Sequence, residues 1–143
     1  MELRVKHFNE LTVCELYEIL RAREEIFVLE KGMTCRDIDG DDYNCLHIFF
    51  ENGGKLAAYL RAQGLDDGRV KIGRVLTLTH GLGLGRALMS GAVSVIRERM
   101  EAKKVLVHAQ CDAVPYYTKM GFIPISGEYV EEGVPHISME LTL

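Results

Sequence analysis

The spacing of apolar residues changes period several times along the chain, and each change marks an element. Met1–Phe8 alternates as a first strand. Apolar residues at Leu16, Ile19, Leu20, Ile26 and Phe27 follow helical spacing, which predicts one helix from Leu11 to about Leu29. Thr12 or Asn9 is suited to cap its start, and Lys31-Gly32 to end it. Leu46–Phe50 and Lys55–Ala62 read as strands on either side of Asn52-Gly53-Gly54, the strongest hairpin signal in the chain. Arg69–Thr77 is a further strand. Arg86–Glu101 carries Leu88, Met89, Ala92, Val95, Ile96 and Met100 on one face, the pattern of an amphipathic helix. Lys104–His108 is a short apolar strand of the kind buried on both faces. Ala113–Met120 is a brief helix stopped by Gly121, and Phe122–Ile125 and Pro135–Leu143 close the chain as strands.

The resulting order, β-α-β-β-β-α-β-α-β-β, is that of one α/β domain over residues 1–143 with a mixed sheet. Its segment Arg69–Val107 is a strand-loop-helix-strand unit, which should cross over right-handed and leave its two strands parallel.

A chain of 143 residues, 48% hydrophobic and 27% charged, can bury one good core. The net charge of −4 argues against a nucleic-acid or anionic-membrane surface, because the basic residues lie scattered among acids. No apolar run approaches a membrane-spanning length, and the cytoplasm is the expected compartment. Cys14, Cys35, Cys45 and Cys111 form no CxxC pair and read as ordinary thiols. Gly40 falls too early in Asp37–Asp42 for a calcium loop, and no metal is expected. The sequence leaves room for a homodimer.

The chemistry concentrates in His80-Gly81-Leu82-Gly83-Leu84-Gly85-Arg86, between a strand and a helix. The lysine and threonine of a P-loop are missing, and Arg86 stands where a dinucleotide fingerprint needs its third glycine. What remains is a glycine-rich turn at a helix N-terminus. Such a turn is either an anion cradle or a plain joint needing positive φ.

Gly81–Leu88 resembles the acyl-CoA pyrophosphate loop of the GNAT superfamily of N-acetyltransferases, with His80 standing where that pattern has Arg or Gln. Ala113-Val114-Pro115-Tyr116-Tyr117-Thr118-Lys119-Met120-Gly121-Phe122 is similar to the short helix of the same superfamily. Arg23–Asp42 and Val130–Met139, above all Gly133-Val134-Pro135-His136-Ile137, resemble its ElaA-like branch. The resemblance implies a mostly antiparallel mixed sheet whose central parallel pair splays, flanked by helices. It also implies direct transfer of an acetyl group from acetyl-CoA to an amine carried by a small molecule or peptide. A module that holds acyl-CoA without catalysis is the alternative.

By the same resemblance Tyr117 protonates the leaving thiolate, although Tyr116 and Tyr117 could both be core aromatics. The main chain of Val75, Leu76 and Thr77 would hold the pantetheine arm, and His80, Gly81, Gly83, Gly85 and Arg86 would meet the pyrophosphate. Glu30, Asp37, Asp39, Asp41 and Asp42 gather negative charge after the first helix, which fits either a pocket for a cationic amine or a solvated loop. His47 and His136 are candidate bases or water relays on the acceptor side, each also readable as a structural histidine. The acceptor set expected from the sequence is thus Glu30, Asp39, His47 and His136.

Overall fold

The computed structural model describes residues 1–143. Strand β1 (Glu2–His7) is followed by helix α1 (Val13–Arg23), strands β2 (Cys45–Asn52), β3 (Lys55–Gly64) and β4 (Arg69–Thr77), then helix α2 (Leu84–Arg99). Strand β5 (Lys104–Gln110), helix α3 (Val114–Lys119) and strands β6 (Ile123–Pro124), β7 (Tyr129–Glu131) and β8 (Val134–Thr142) complete the chain. The sheet runs β1-β2-β3-β4-β5-β8-β6, with β7 paired to β8. Every pairing is antiparallel except β4 with β5. This is the mixed, mostly antiparallel α/β fold expected from the sequence. No helix is long and apolar enough to cross a membrane.

Two elements depart from the sequence reading. The first helix opens with the Thr12 cap, whose hydroxyl accepts from the Glu15 amide, but it stays α-helical only to Arg23. Glu24–Glu30 continues as a wide π-helical turn, which buries Phe27 beneath Met33 and leaves Glu30 in solvent. The β7–β8 hairpin was not expected, because β7 has only three residues and its Val130 points into solvent.

The main core lies between the sheet and α2. Leu88, Met89, Ala92 and Ile96 of α2 pack on Ile48, Leu60, Ile72 and Val107 from four central strands, all nearly or fully buried. A smaller cluster of Ile19, Ala22, Phe27, Phe49, Tyr59 and Leu76 seats α1 and the π turn on the opposite face.

The sheet is whole from β1 to β4 and then divides. β4 and β5 pair only over Arg69–Ile72 with Lys104–Val107. Where the pairing stops, β4 carries one extra residue against β3, since Tyr59 opposes Leu76 while Arg61 opposes Gly73. Arg74 occupies that bulge with φ of 54°, a left-handed conformation that costs a non-glycine residue roughly 1–2 kcal/mol.

A buried ionic clasp holds the bulge. Arg74 Nε donates to Asp37 Oδ1 at 2.8 Å, and its Nη2 donates to the Asp37 carbonyl at 3.0 Å. Arg23, fully buried, donates to Asp37 Oδ2 at 2.9 Å and to Asp42 Oδ1 at 2.7 Å. Arg61 bridges Asp42 at 2.9 Å and Asp39 at 2.6 Å. Three guanidinium groups from α1, β3 and β4 thus converge on three carboxylates of one loop.

Removing one member of such a set leaves a buried charge without its partner, which typically costs about 3–5 kcal/mol. Asp42→Ala should lower the unfolding free energy by roughly that amount in urea titrations. A loss below about 1 kcal/mol would mean that the clasp is not a buried network.

Candidate active site

Because β4 and β5 part after Ile72 and Val107, the β5-facing edge of Gly73–Thr77 has no strand partner. A cleft with a cavity of about 350 Å³ fills the gap. Gly73 to Thr77 form one wall, and His108, Gln110, Ala113, Tyr116 and Tyr117 form the other. Phe27, Lys31 and Met33 from the π turn and its exit close one side, while Glu131 and His136 close the far end. The Val75, Leu76 and Thr77 singled out from the sequence therefore lie along an open sheet edge, where a linear amide-bearing ligand could add as a strand.

Gly85 also lines the cleft, which ties it to the N-terminus of α2. Gly83 is the N-cap residue with φ of 67°, and Gly81 has φ of 81°. These two positions need glycine for backbone conformation, and an added Cβ would meet no neighbour at either. The first-turn amides of α2 have no carbonyl acceptor within the helix and lie at its positive end, as an anion site requires. Arg86 is exposed in that turn, and His80 is exposed with Nδ1 3.5 Å from Thr77 Oγ1. Neither side chain lines the cleft itself.

The two tyrosines of α3 divide their roles. Both line the cleft. Tyr116 donates its hydroxyl proton to the Gly85 carbonyl at 2.7 Å and so ties α3 to the start of α2. Tyr117 is buried edge-to-face between Tyr116 and Phe122, and burial raises its phenol well above the ordinary value. Its hydroxyl has no protein partner, yet it is not sealed away, because Arg4 Nε is the one buried side-chain polar atom left unpartnered. Tyr117 is thus a protonated phenol at neutral pH with its hydrogen free.

The acceptor side departs most from the sequence reading. Asp39 lies outside the cleft and is engaged by Arg61 and Arg74, and the hydrogen bonds from Arg61 hold its carboxyl far below the usual range. Burial pushes the Asp42 carboxyl up, but the guanidinium groups of Arg23 and Arg61 outweigh it and leave it lowered. Asp37, Asp39 and Asp42 are therefore neutralised and structural. Glu30 is exposed and misses the cleft. His47 is fully buried in β2, with Nε2 2.9 Å from the Asp42 carbonyl and Nδ1 2.7 Å from the Tyr59 hydroxyl. A carbonyl only accepts, so Nε2 carries the proton and Nδ1 accepts from Tyr59. His47 supports the clasp and has no access to substrate.

Of the four expected acceptor residues only His136 reaches the cleft. Its Nδ1 donates to the Val134 carbonyl at 2.7 Å, and its Nε2 lies 3.7 Å from Glu131 Oε2. The acids that do line this end, Asp112, Glu131 and Glu132, were missed. Glu131 ends β7 and Glu132 sits in the turn of the unexpected hairpin, which gave no periodic signal. No group of three or more His, Cys, Asp or Glu side chains is placed to hold a metal ion.

Known proteins resemble the chain over nearly its whole length. Residues 26–143 match the model of the acetyltransferase (GNAT) domain. The chain is 37% identical to protein ElaA of Escherichia coli over 139 residues, 93% of this chain and 91% of ElaA. The crystal structure of ElaA matches with a TM-score of 0.90 over 97% of each chain. An acyl-CoA N-acyltransferase from Pseudomonas aeruginosa is 34% identical with a TM-score of 0.89, covering 98% of this chain and 99% of that one. A UPF0039 protein of Schizosaccharomyces pombe is 36% identical over 147 residues, all of this chain and 98% of that protein.

The buried histidine makes stability depend on pH. Burial lowers His47 below its ordinary value, so under mild acid the unfolded chain gains a proton that the folded chain refuses. Stability should be full above about pH 6.5 and decline as pH falls from there, with a second loss below about pH 4 as Asp39 and Asp42 are protonated. His108, also lowered, adds to the first decline. His47→Gln, which keeps a donor for the Asp42 carbonyl, should shallow that decline in thermal unfolding scans. An unchanged slope would remove His47 from the acid response.

Proposed function

The chain belongs to the GNAT superfamily of acyltransferases, in its ElaA-like branch, and from that premise we propose that it transfers an acetyl group from acetyl-CoA directly to a primary amine. The observation that carries this reading is the unpaired β4 edge, Gly73–Thr77, beside a phenol whose hydrogen has no protein acceptor. Amides of the pantetheine arm would complete the ladder on Val75, Leu76 and Thr77, and a β4 amide would face the thioester carbonyl as it gains charge. Gly83, Gly85 and Arg86 at the α2 N-terminus would take the pyrophosphate, with Gly81 and His80 at its margin. Tyr117 would give its proton to the sulfur as the carbon–sulfur bond breaks.

The acceptor must arrive as, or become, a neutral amine. A lysine-like ammonium with a pKa of about 10.4 is neutral at roughly one part in a few thousand at pH 7, so loss of that proton belongs to the reaction. Glu131, Glu132 and Asp112 bring carboxylates that could pair with an ammonium into a lining that also carries Lys31, Lys71 and Arg74.

Calorimetry with acetyl-CoA and thiol release in the presence of amines test the reading together. Acetyl-CoA should bind, at about 100 times Kd should stabilise the fold by about 2.7 kcal/mol, and thiol should appear only with an amine present. Binding without release would make the chain a holder of acyl-CoA, and no binding would end the proposal. Tyr117→Phe should reduce turnover by about 10²-fold or more while leaving acetyl-CoA affinity nearly unchanged. Full turnover in that variant under conditions where chemistry limits the rate would remove Tyr117 from proton transfer.

A further inference from the structure

We propose that His108, oriented by Glu131, accepts the proton from the amine. The inference rests on the acyl-transfer reading above and assigns a residue to the one step that reading leaves without one. His108 is the first residue of β5 beyond the last parallel pair, Ile72 with Val107, so it stands at the apex of the fork where the strands separate. Its ring lines the same cleft as Tyr117 and the open edge of β4.

The imidazole is held by its surroundings. Nδ1 lies 3.2 Å from Glu131 Oε1, and the ring meets Tyr129 edge-on with centroids 6.3 Å apart. Tyr129 is fixed in turn by a 2.8 Å hydrogen bond to Ser138 and by stacking on His136. A carboxylate can only accept, so in the neutral ring the proton sits on Nδ1 and the lone pair on Nε2. Nε2 has no protein partner and is not a buried orphan, which leaves it facing the cleft.

The charged groups around the ring keep it in the form a base needs. Burial, Lys71 on β4 and His136 on β8 disfavour the imidazolium, while Glu131 on β7 favours it, and the balance lies below the ordinary histidine value. At neutral pH the ring is therefore uncharged. Once protonated, the imidazolium is stabilised by Glu131 across the Nδ1 hydrogen bond. Glu131 acts through the histidine and is a positioning residue.

The step balances. A bound ammonium gives one proton to His108 Nε2, and the freed nitrogen lone pair attacks the thioester carbonyl carbon. The carbon–nitrogen bond forms, the carbon–sulfur bond breaks, and the sulfur takes the Tyr117 proton. The second nitrogen proton restores the phenol through solvent, and His108 releases its own proton to water.

Two measurements decide the matter. Ring nitrogen-15 spectra of the chain at about pH 7.5 should show His108 neutral with its proton on Nδ1, and Glu131→Gln should weaken that preference. A ring protonated on Nε2, or charged at that pH, overturns the proposal whatever the substrate. The second is kcat/KM against pH with acetyl-CoA and each of an alkyl diamine, a lysine-containing peptide and phenethylamine. The wild-type profile should fall on its acid side below about pH 6.5. His108→Gln should lose about 10² to 10⁴-fold in kcat/KM and with it that limb, at unchanged acetyl-CoA affinity. Glu131→Gln should move the limb to lower pH, because it removes the charge that favours the imidazolium. His108→Gly should regain activity with added imidazole.

Wild-type activity accompanied by an unaltered profile in His108→Gln overturns the assignment of His108 alone. A wild-type chain that releases no thiol with any of the three amines overturns the acyl-transfer reading, and the base falls with it.

Discussion

Parallel strands in register bond to each other and leave no main-chain group free, so the cleft exists only because β4 is forced off β5. The force is applied at Arg74. Its left-handed backbone inserts one extra residue into β4 opposite Leu60, and the strand turns away from β5 just past Ile72. That conformation is unfavourable for arginine, yet the same side chain binds Asp37 through its Nε and Asp39 through its Nη2. Arg23 and Arg61 then fix those acids against α1 and β3. Local backbone strain is offset by a network anchored across the core, an arrangement found where a site has to be preformed.

The clasp also explains where the sequence misled. Asp37, Asp39, Asp41 and Asp42 crowd together in the chain, and a count of charge along it makes them an acidic patch. The cations that pair Asp37, Asp39 and Asp42 stand at positions 23, 61 and 74, in three other elements, and only the sheet topology brings them in. His47 failed for a related reason. It lies on a strand with β1 and β3 on either side, so its polar atoms are used inside the molecule. Short-range patterning cannot reveal a partner that arrives from a distant element.

What was legible followed from local rules. The β3 and β2 strands meet at Asn52-Gly53-Gly54, where Gly53 and Gly54 both take positive φ as that hairpin demands. The α2 face of Leu88, Met89, Ala92 and Ile96 is buried as its spacing required, although the helix begins two residues earlier than Arg86 because Gly83 caps it. The glycine turn, the start of α2 and the tyrosine helix were readable for the same reason, since each is contiguous in the chain. The end of the cleft lined by His108, Asp112, Glu131 and Glu132 was not, because it is assembled from β5, the β7–β8 hairpin and the entry to α3.

The central claim is that the edge of β4 from Gly73 to Thr77 is held open to receive an acyl-CoA as an added strand. Amide hydrogen exchange of the chain with and without saturating acetyl-CoA tests it most directly. The account predicts new protection at the amides of that edge and in the first turn of α2. Saturation with ligand, but with exchange unchanged across Gly73–Thr77, would contradict it.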